Sequence, residues 1–95
     1  MDIDWKAPWR AVYEKESRGI WGELNREIGK GHSLFGHGYD VIGRRDDNDD
    51  VLLYVDRAVE PWAVVHVTFS GKEEGDARIP WTQYYGNVNE ALKDI

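Results

Sequence analysis

The chain contains no cysteine. Disulfides, zinc–thiolate sites, iron–sulfur clusters and thiol catalysis are therefore excluded. A small fold without covalent staples suits a reducing compartment better than an extracellular one. No apolar run approaches membrane-spanning length. The opening residues, MDIDWKAPWR, lack the basic-then-apolar layout of a signal peptide. A cytoplasmic protein with no membrane association is expected. Basic residues are in the minority, 12 Lys and Arg against 18 Asp and Glu, for a formal net charge of −6. They are scattered, and the sole adjacent pair is Arg44–Arg45. Such a chain is repelled by phosphates, which disfavours nucleic acid and leaves two readings of the acidity, a basic protein partner or solubility alone.

What the chain does have is apolar area. Its 95 residues include 5 Trp and 5 Tyr, enough to exclude disorder. One domain, residues 1–95, is expected, burying roughly 60–68% of the surface its unfolded form exposes. The stretch Tyr39–Ser70 organises it: three runs rich in β-branched residues, separated by DDNDD (Asp46–Asp50) and by Arg57–Pro61. Short polar side chains and proline punctuate strands. The spacing predicts an antiparallel meander with strands at Tyr39–Arg45, Val51–Asp56 and Trp62–Ser70.

Side chains alternate across a strand. One face then carries Val41, Gly43, Val51, Leu53, Val55, Ala63, Val65, Val67 and Phe69, and a helix is expected to pack on it. The other carries Ile42, Arg44, Leu52, Tyr54, Trp62, Val64, His66 and Thr68. That mixed face is expected to be partly open to water or covered by something other than a helix. Simple register through Arg57–Pro61 sets Leu52 across from His66 and Tyr54 across from Val64.

The helix comes from the N-terminal third, where Trp9, Val12, Tyr13, Ile20, Leu24 and Ile28 recur at helical intervals. Asp2 or Asp4 is a candidate cap. Gly19, Gly22 and Ser17 leave two forms open: one helix with a bend, which is preferred, or two short helices meeting near Ser17–Gly19. Gly29–Gly31 ends it. Leu34 and Phe35 are expected to plug the edge of the core. After the meander, Thr82–Tyr85 reads as a short fourth edge strand. Asn87 and Glu90 have capping-box spacing ahead of a terminal helix, Val88–Asp94, with Val88, Ala91, Leu92 and Ile95 on its apolar side. The expected fold is α+β, in the order α-β-β-β-(β)-α.

No catalytic or cofactor motif stands out. GKGHS lacks phosphate-loop spacing and follows a helix where that motif precedes one. DDNDD fails the calcium-loop pattern, since its sixth and twelfth positions from Asp46 hold Val51 and Arg57. It reads as a charged hairpin tip partly neutralised by Arg44 and Arg45. His32, His37 and His66 have no metal-ligand spacing. No metal, cofactor or catalytic residue is assigned. Trp21 falls off the helical stripe and is expected at the surface. The candidate ligand- or partner-binding residues are His66, Trp62, Tyr54, Thr68 and Arg44. A mid-strand histidine among aromatics is either a polar anchor in a pocket or a half-buried, hydrogen-bonded structural residue.

Three stretches carry a resemblance: GHSLFG (Gly31–Gly36), RRDDNDDVLL (Arg44–Leu53) and AVVHVTFSG (Ala63–Gly71), together with Trp81. They resemble a family of small bacterial proteins with no assigned activity. That family commonly has Pro in place of Ser33 and often Trp in place of Phe69. The resemblance implies a stand-alone small cytoplasmic protein. Small size, acidity and the mixed face lead to the expectation of a non-enzymatic interaction protein, in one version an inhibitor or immunity-type protein. The alternatives are a small-ligand binder or minor enzyme using His66, and a homodimer through the mixed face.

Overall fold

Residue Trp9, expected on the apolar side of the first helix, instead belongs to a strand. The computed structural model describes residues 3–73 and 75–93, and in it the chain runs β1 (Trp9–Ala11), α1 (Glu14–Glu27), β2 (Tyr39–Arg45), β3 (Asp50–Val55), β4 (Trp62–His66), β5 (Thr82–Tyr85), α2 (Val88–Ala91). The fold is α+β. The five strands form one antiparallel sheet in the order β1-β2-β3-β4-β5. The expected order α-β-β-β-(β)-α is thus corrected to β-α-β-β-β-β-α, with the fourth strand at Thr82–Tyr85 where it was expected.

The correction at Trp9 has a simple geometric origin. Residues three apart share a face in a helix but lie on opposite faces of a strand. Trp9 and Val12 look like a helical pair in sequence. Here β1 pairs with β2, Trp9 opposite Arg45 and Ala11 opposite Gly43, and the two side chains go to different cores. The helix begins only at Glu14. The Glu16 carboxylate accepts the Tyr13 N–H (3.0 Å), satisfying a first-turn donor. From there α1 is one unbroken helix through Ser17 and Gly19. The candidate cap Asp4 lies outside it, and Asp2 is outside the described residues. Among the described residues, no helix is long and apolar enough to cross a membrane.

α1 packs on the aliphatic face, as the alternation predicts. Ile20 and Leu24 join Val41, Val51, Leu53, Val55, Ala63, Val65 and Val67 in one buried cluster closed at the edge by Leu34. Phe35, expected beside Leu34, is half exposed. So is Phe69, because β4 stops at His66 and not at Ser70. Val67 still points inward, but Phe69 takes a left-handed backbone (φ 57°) that turns the chain off the sheet.

Two register details separate structure from expectation. Leu52 pairs with Val64, Tyr54 with Trp62, and Asp50 with His66, two residues away from the expected pairing. Pro61 decides this: it has no N–H, and its carbonyl ends the ladder by accepting from Val55 (2.7 Å). An even slip preserves the faces, so the core assignment survives it. The second detail is a bulge in β2 at Ile42, where Val41 pairs with Leu53 but Gly43 with Leu52. Beyond the bulge the parity reverses. Gly43 moves to the mixed face and Arg44 to the helix face.

The mixed face is not left to loops alone. Ala91 and Leu92 of the α2 region, with Ile3 and Trp5 of the N-terminal segment, pack over Leu52, Trp62 and Val64. Asn87 caps α2 by accepting the Glu90 N–H (2.9 Å), as the capping-box spacing predicts. α2 spans one turn, and Ile95 lies outside the described residues.

Candidate binding site at the open end of the mixed face

Covering by α2 stops short of the end of the sheet nearest the DDNDD turn. There the registers align one row of side chains. Trp9 lies opposite Arg45, the Arg44–Val51 pairing continued by one residue sets Arg45 beside Asp50, and Asp50 lies opposite His66. His66 in turn donates its backbone N–H to the Trp81 carbonyl (2.9 Å). The row is aromatic, cation, carboxylate, imidazole, aromatic.

His66 has the oriented partner that sequence could not show. Its Nδ1 lies 2.8 Å from Asp50 Oδ1. A carboxylate only accepts, so Nδ1 carries a proton and, in the neutral ring, Nε2 presents a lone pair. The imidazole is about half exposed, while the Asp50 side chain is 15% exposed. Together with Val64, Trp81, Thr82 and Gln83 they line a shallow cleft of about 200 Å³. Trp81 is 60% exposed. It also lines a second cleft, of about 330 Å³, with His32 and Arg78.

Of the five residues singled out from sequence, only His66 lines the first cleft. Trp62 and Tyr54 meet edge to face at 5.1 Å and belong to the core under α2. Thr68 lies past the end of β4, its N–H held by Glu27. Arg44, moved by the bulge, stands 3.6 Å from Glu16 on the helix side. Asp50, Trp81 and Gln83 were not read as site residues. Asp50 was hidden inside a turn, and Trp81 reaches the row only through the return of β5 onto β4.

The turn itself is neutralised differently from expectation. Asp46 bonds to Arg10 (2.8 Å), Asp47 takes both a 2.7 Å bond from Arg45 Nε and another from its Nη2, and Asn48 Oδ1 accepts the Asp50 N–H (2.8 Å). Arg44, expected to share this role, is engaged with Glu16.

His32 is buried and tied on both nitrogens. Nδ1 accepts the Leu34 N–H (3.0 Å) and Nε2 donates to the Pro80 carbonyl (2.8 Å). His37 is exposed. Among the described residues, no group of three or more His, Asp and Glu side chains is spaced to hold a metal ion.

A second constellation escaped sequence reading. Glu23 and Glu27 occupy the third and seventh positions after Ile20, so they share its buried stripe. Glu27 has no exposed surface. Its oxygens accept the N–H groups of Thr68 (3.0 Å) and Phe69 (2.8 Å), and Glu23 accepts that of Gly71 (2.8 Å) and an Arg26 guanidinium bond (2.8 Å). Of the two carboxyls, Glu27 is the one that keeps its proton and donates to Glu23. Burial pushes Glu27 up, while the bonds from Glu27, Arg26 and Gly71 hold Glu23 down at about 2. The pair grips the backbone where it leaves the sheet, which is a structural task.

None of the family models, curated proteins or solved structures compared with the chain matches it.

Proposed function

We propose that this chain is a small non-enzymatic interaction protein that engages a basic partner through the open end of its mixed sheet face. The observation that carries this reading is the exposed Trp81 beside the Asp50–His66 pair. Elsewhere on that face the apolar side chains are covered from within the chain. An exposed Trp next to a hydrogen-bonded carboxylate–imidazole pair is the composition of an interface anchor. The net charge of −6 favours a cationic partner and fast encounter with it. An inhibitor or immunity-type role, masking a basic enzyme, fits that size and charge. A reducing, cytoplasmic setting suits a chain without cysteine. Most of the mixed face is occupied by α2 and the N-terminal segment, which leaves a homodimer only the same open end. The test is affinity capture from the source cell with wild type, Trp81→Ala and His66→Ala, alongside light scattering. A basic partner retained by wild type and lost by Trp81→Ala is the expected result. A monomer with no stable partner, or capture indifferent to both substitutions, refutes the proposal.

A second reading is favoured by one observation, the Asp50 contact that orients His66 with Nε2 available as an acceptor. That geometry suits a small-ligand site or a general base. It lacks an activated nucleophile, since the nearby Thr82 hydroxyl donates to the Pro80 carbonyl (2.9 Å). An NMR screen of small molecules separates the two readings. Shifts at His66, Trp81 and Gln83 from a non-peptide compound support the ligand reading, and a silent cleft across the library removes it.

A further inference from the structure

Among the described residues one arrangement occurs three times: an arginine over an aromatic ring with its guanidinium forked onto a carboxylate. Arg45 stands 5.7 Å from the Trp9 ring centre and grips Asp47. Arg78 stands 6.0 Å from that of Trp81 and grips Asp76 with bonds of 3.1 and 2.7 Å. Arg10 stands 5.2 Å from that of Tyr13 and grips Glu16 with bonds of 2.9 and 2.8 Å. The cleft at the open end holds the same aromatic and carboxylate components, while the cation next to Asp50 in the row, Arg45, is forked onto Asp47 and does not line the cleft. Trp81 is one wall and Asp50 another, and neither Lys nor Arg lines it. Arg78 lies in the second cleft, which shares Trp81 but neither Asp50 nor His66.

The Asp50 carboxylate offers an acceptor to a guanidinium in the cleft. Asp50 uses Oδ1 for His66, and among the described residues its Oδ2 has no hydrogen-bond partner. With Nδ1–H given to Oδ1, His66 fixes the orientation of the carboxylate at the cleft wall. Gln83 adds an amide oxygen at the rim. A guanidinium brings five N–H donors in a plane that stacks on an indole. An ammonium supplies the charge but neither the plane nor the fork, and an anion meets the Asp50 carboxylate at the cleft wall.

We propose that this cleft receives an arginine side chain of the partner, stacked on Trp81 and hydrogen-bonded to Asp50 Oδ2, with His66 on the other carboxylate oxygen holding that acceptor in place. The inference rests on the interaction reading above and names the chemistry of the residue it recognises. The test uses the full chain and two peptides of equal charge, acetyl-Gly-Arg-Gly-amide and acetyl-Gly-Lys-Gly-amide, followed by the indole N–H and backbone amide signals in two-dimensional NMR. Saturable shifts at Trp81, His66 and Gln83 with the arginine peptide, and weaker ones with the lysine peptide, are expected. Asp50→Asn should weaken the arginine peptide roughly tenfold, the loss of one hydrogen bond to a charged group. Trp81→Ala should abolish the shifts, and Asp49→Asn, outside the cleft, should leave them unchanged. Both site variants alter side chains at an open cleft, and their amide spectra report whether the fold is kept. Equal response to the two peptides, shifts unchanged in Asp50→Asn, or a cleft silent to both peptides overturns the inference. If capture of a basic partner still depends on Trp81 while the cleft ignores arginine, the inference fails and the interaction reading stands. If capture ignores Trp81, the interaction reading fails whatever the peptides do.

Discussion

Replacing Glu27 by alanine removes two acceptors at once. Its carboxylate holds the N–H groups of Thr68 and Phe69 where the chain turns off the sheet, and Phe69 sits there in a left-handed backbone that only over-determined contacts sustain. Each orphaned donor costs about 1–3 kcal/mol. Thr68 is exposed, so water recovers part of its share, and the expected loss is about 2–4 kcal/mol, against a total stability of about 5–15 kcal/mol. Glutamine keeps one acceptor and can donate to Glu23, so Glu27→Gln should lose about half as much, roughly 1–2 kcal/mol. The pH dependence follows from the direction of the shift. A buried carboxyl whose pKa is raised favours folding below the unfolded value and loses that contribution as pH rises through the folded one. The advantage of wild type over Glu27→Gln should therefore narrow with rising pH. Urea denaturation followed by tryptophan fluorescence measures both variants, and amide hydrogen exchange at Thr68 and Phe69 reports the loop directly. Glu27→Ala within about 0.5 kcal/mol of wild type, the scatter of ordinary surface substitutions, with both amides still protected, would refute the reasoning.

Val65 has no exposed surface, and Val65→Asp should cost at least roughly 4 kcal/mol through an unpaired buried charge; a cooperative melt at the wild-type temperature would invert the face assignment. Glu16 is held at about 2 by the Arg10 guanidinium, below its ordinary 4.5, so its contribution is present above that ordinary value and lost as pH falls towards 2. The difference in melting temperature between wild type and Glu16→Gln should accordingly be largest near neutrality and vanish at the acid end. A Cβ at Gly43 would fall 2.6 Å from Trp5 Cζ3 and 2.9 Å from the Arg10 carbonyl oxygen, and since backbone yields little, Gly43→Ala should lose about 1–3 kcal/mol by overpacking, read by urea titration. Asn87→Ala removes the cap of α2 and should lose about 0.5–2 kcal/mol, with a change in near-ultraviolet dichroism as the cover over Trp62 loosens.

The amino-acid sequence by itself determined the aliphatic core. Valine and leucine alternate with period two from Val51 to Val67, and a register slip of two residues leaves such alternation on the same faces. That is why the slip at Pro61 changed who sits opposite His66 without moving Val65 or Leu53 out of the interior. The edge strand at Thr82–Tyr85, the Asn87 cap and the exposed Trp21 were legible for the same local reasons: a β-branched and aromatic run, a side-chain acceptor three residues before its donor, and a position off the helical stripe. Only the tertiary structure decided the rest. Trp9 and Val12 fit a helix as well as a strand until β2 offers a ladder. The bulge at Ile42, which carries Arg44 away from His66, leaves no mark in a list of side chains. Asp50, His66 and Trp81 become neighbours through strand pairing across 16 and 15 residues, a distance over which no periodicity can speak. Local pattern fixes which way each side chain faces; which faces meet is settled by backbone hydrogen bonds between segments far apart in the chain.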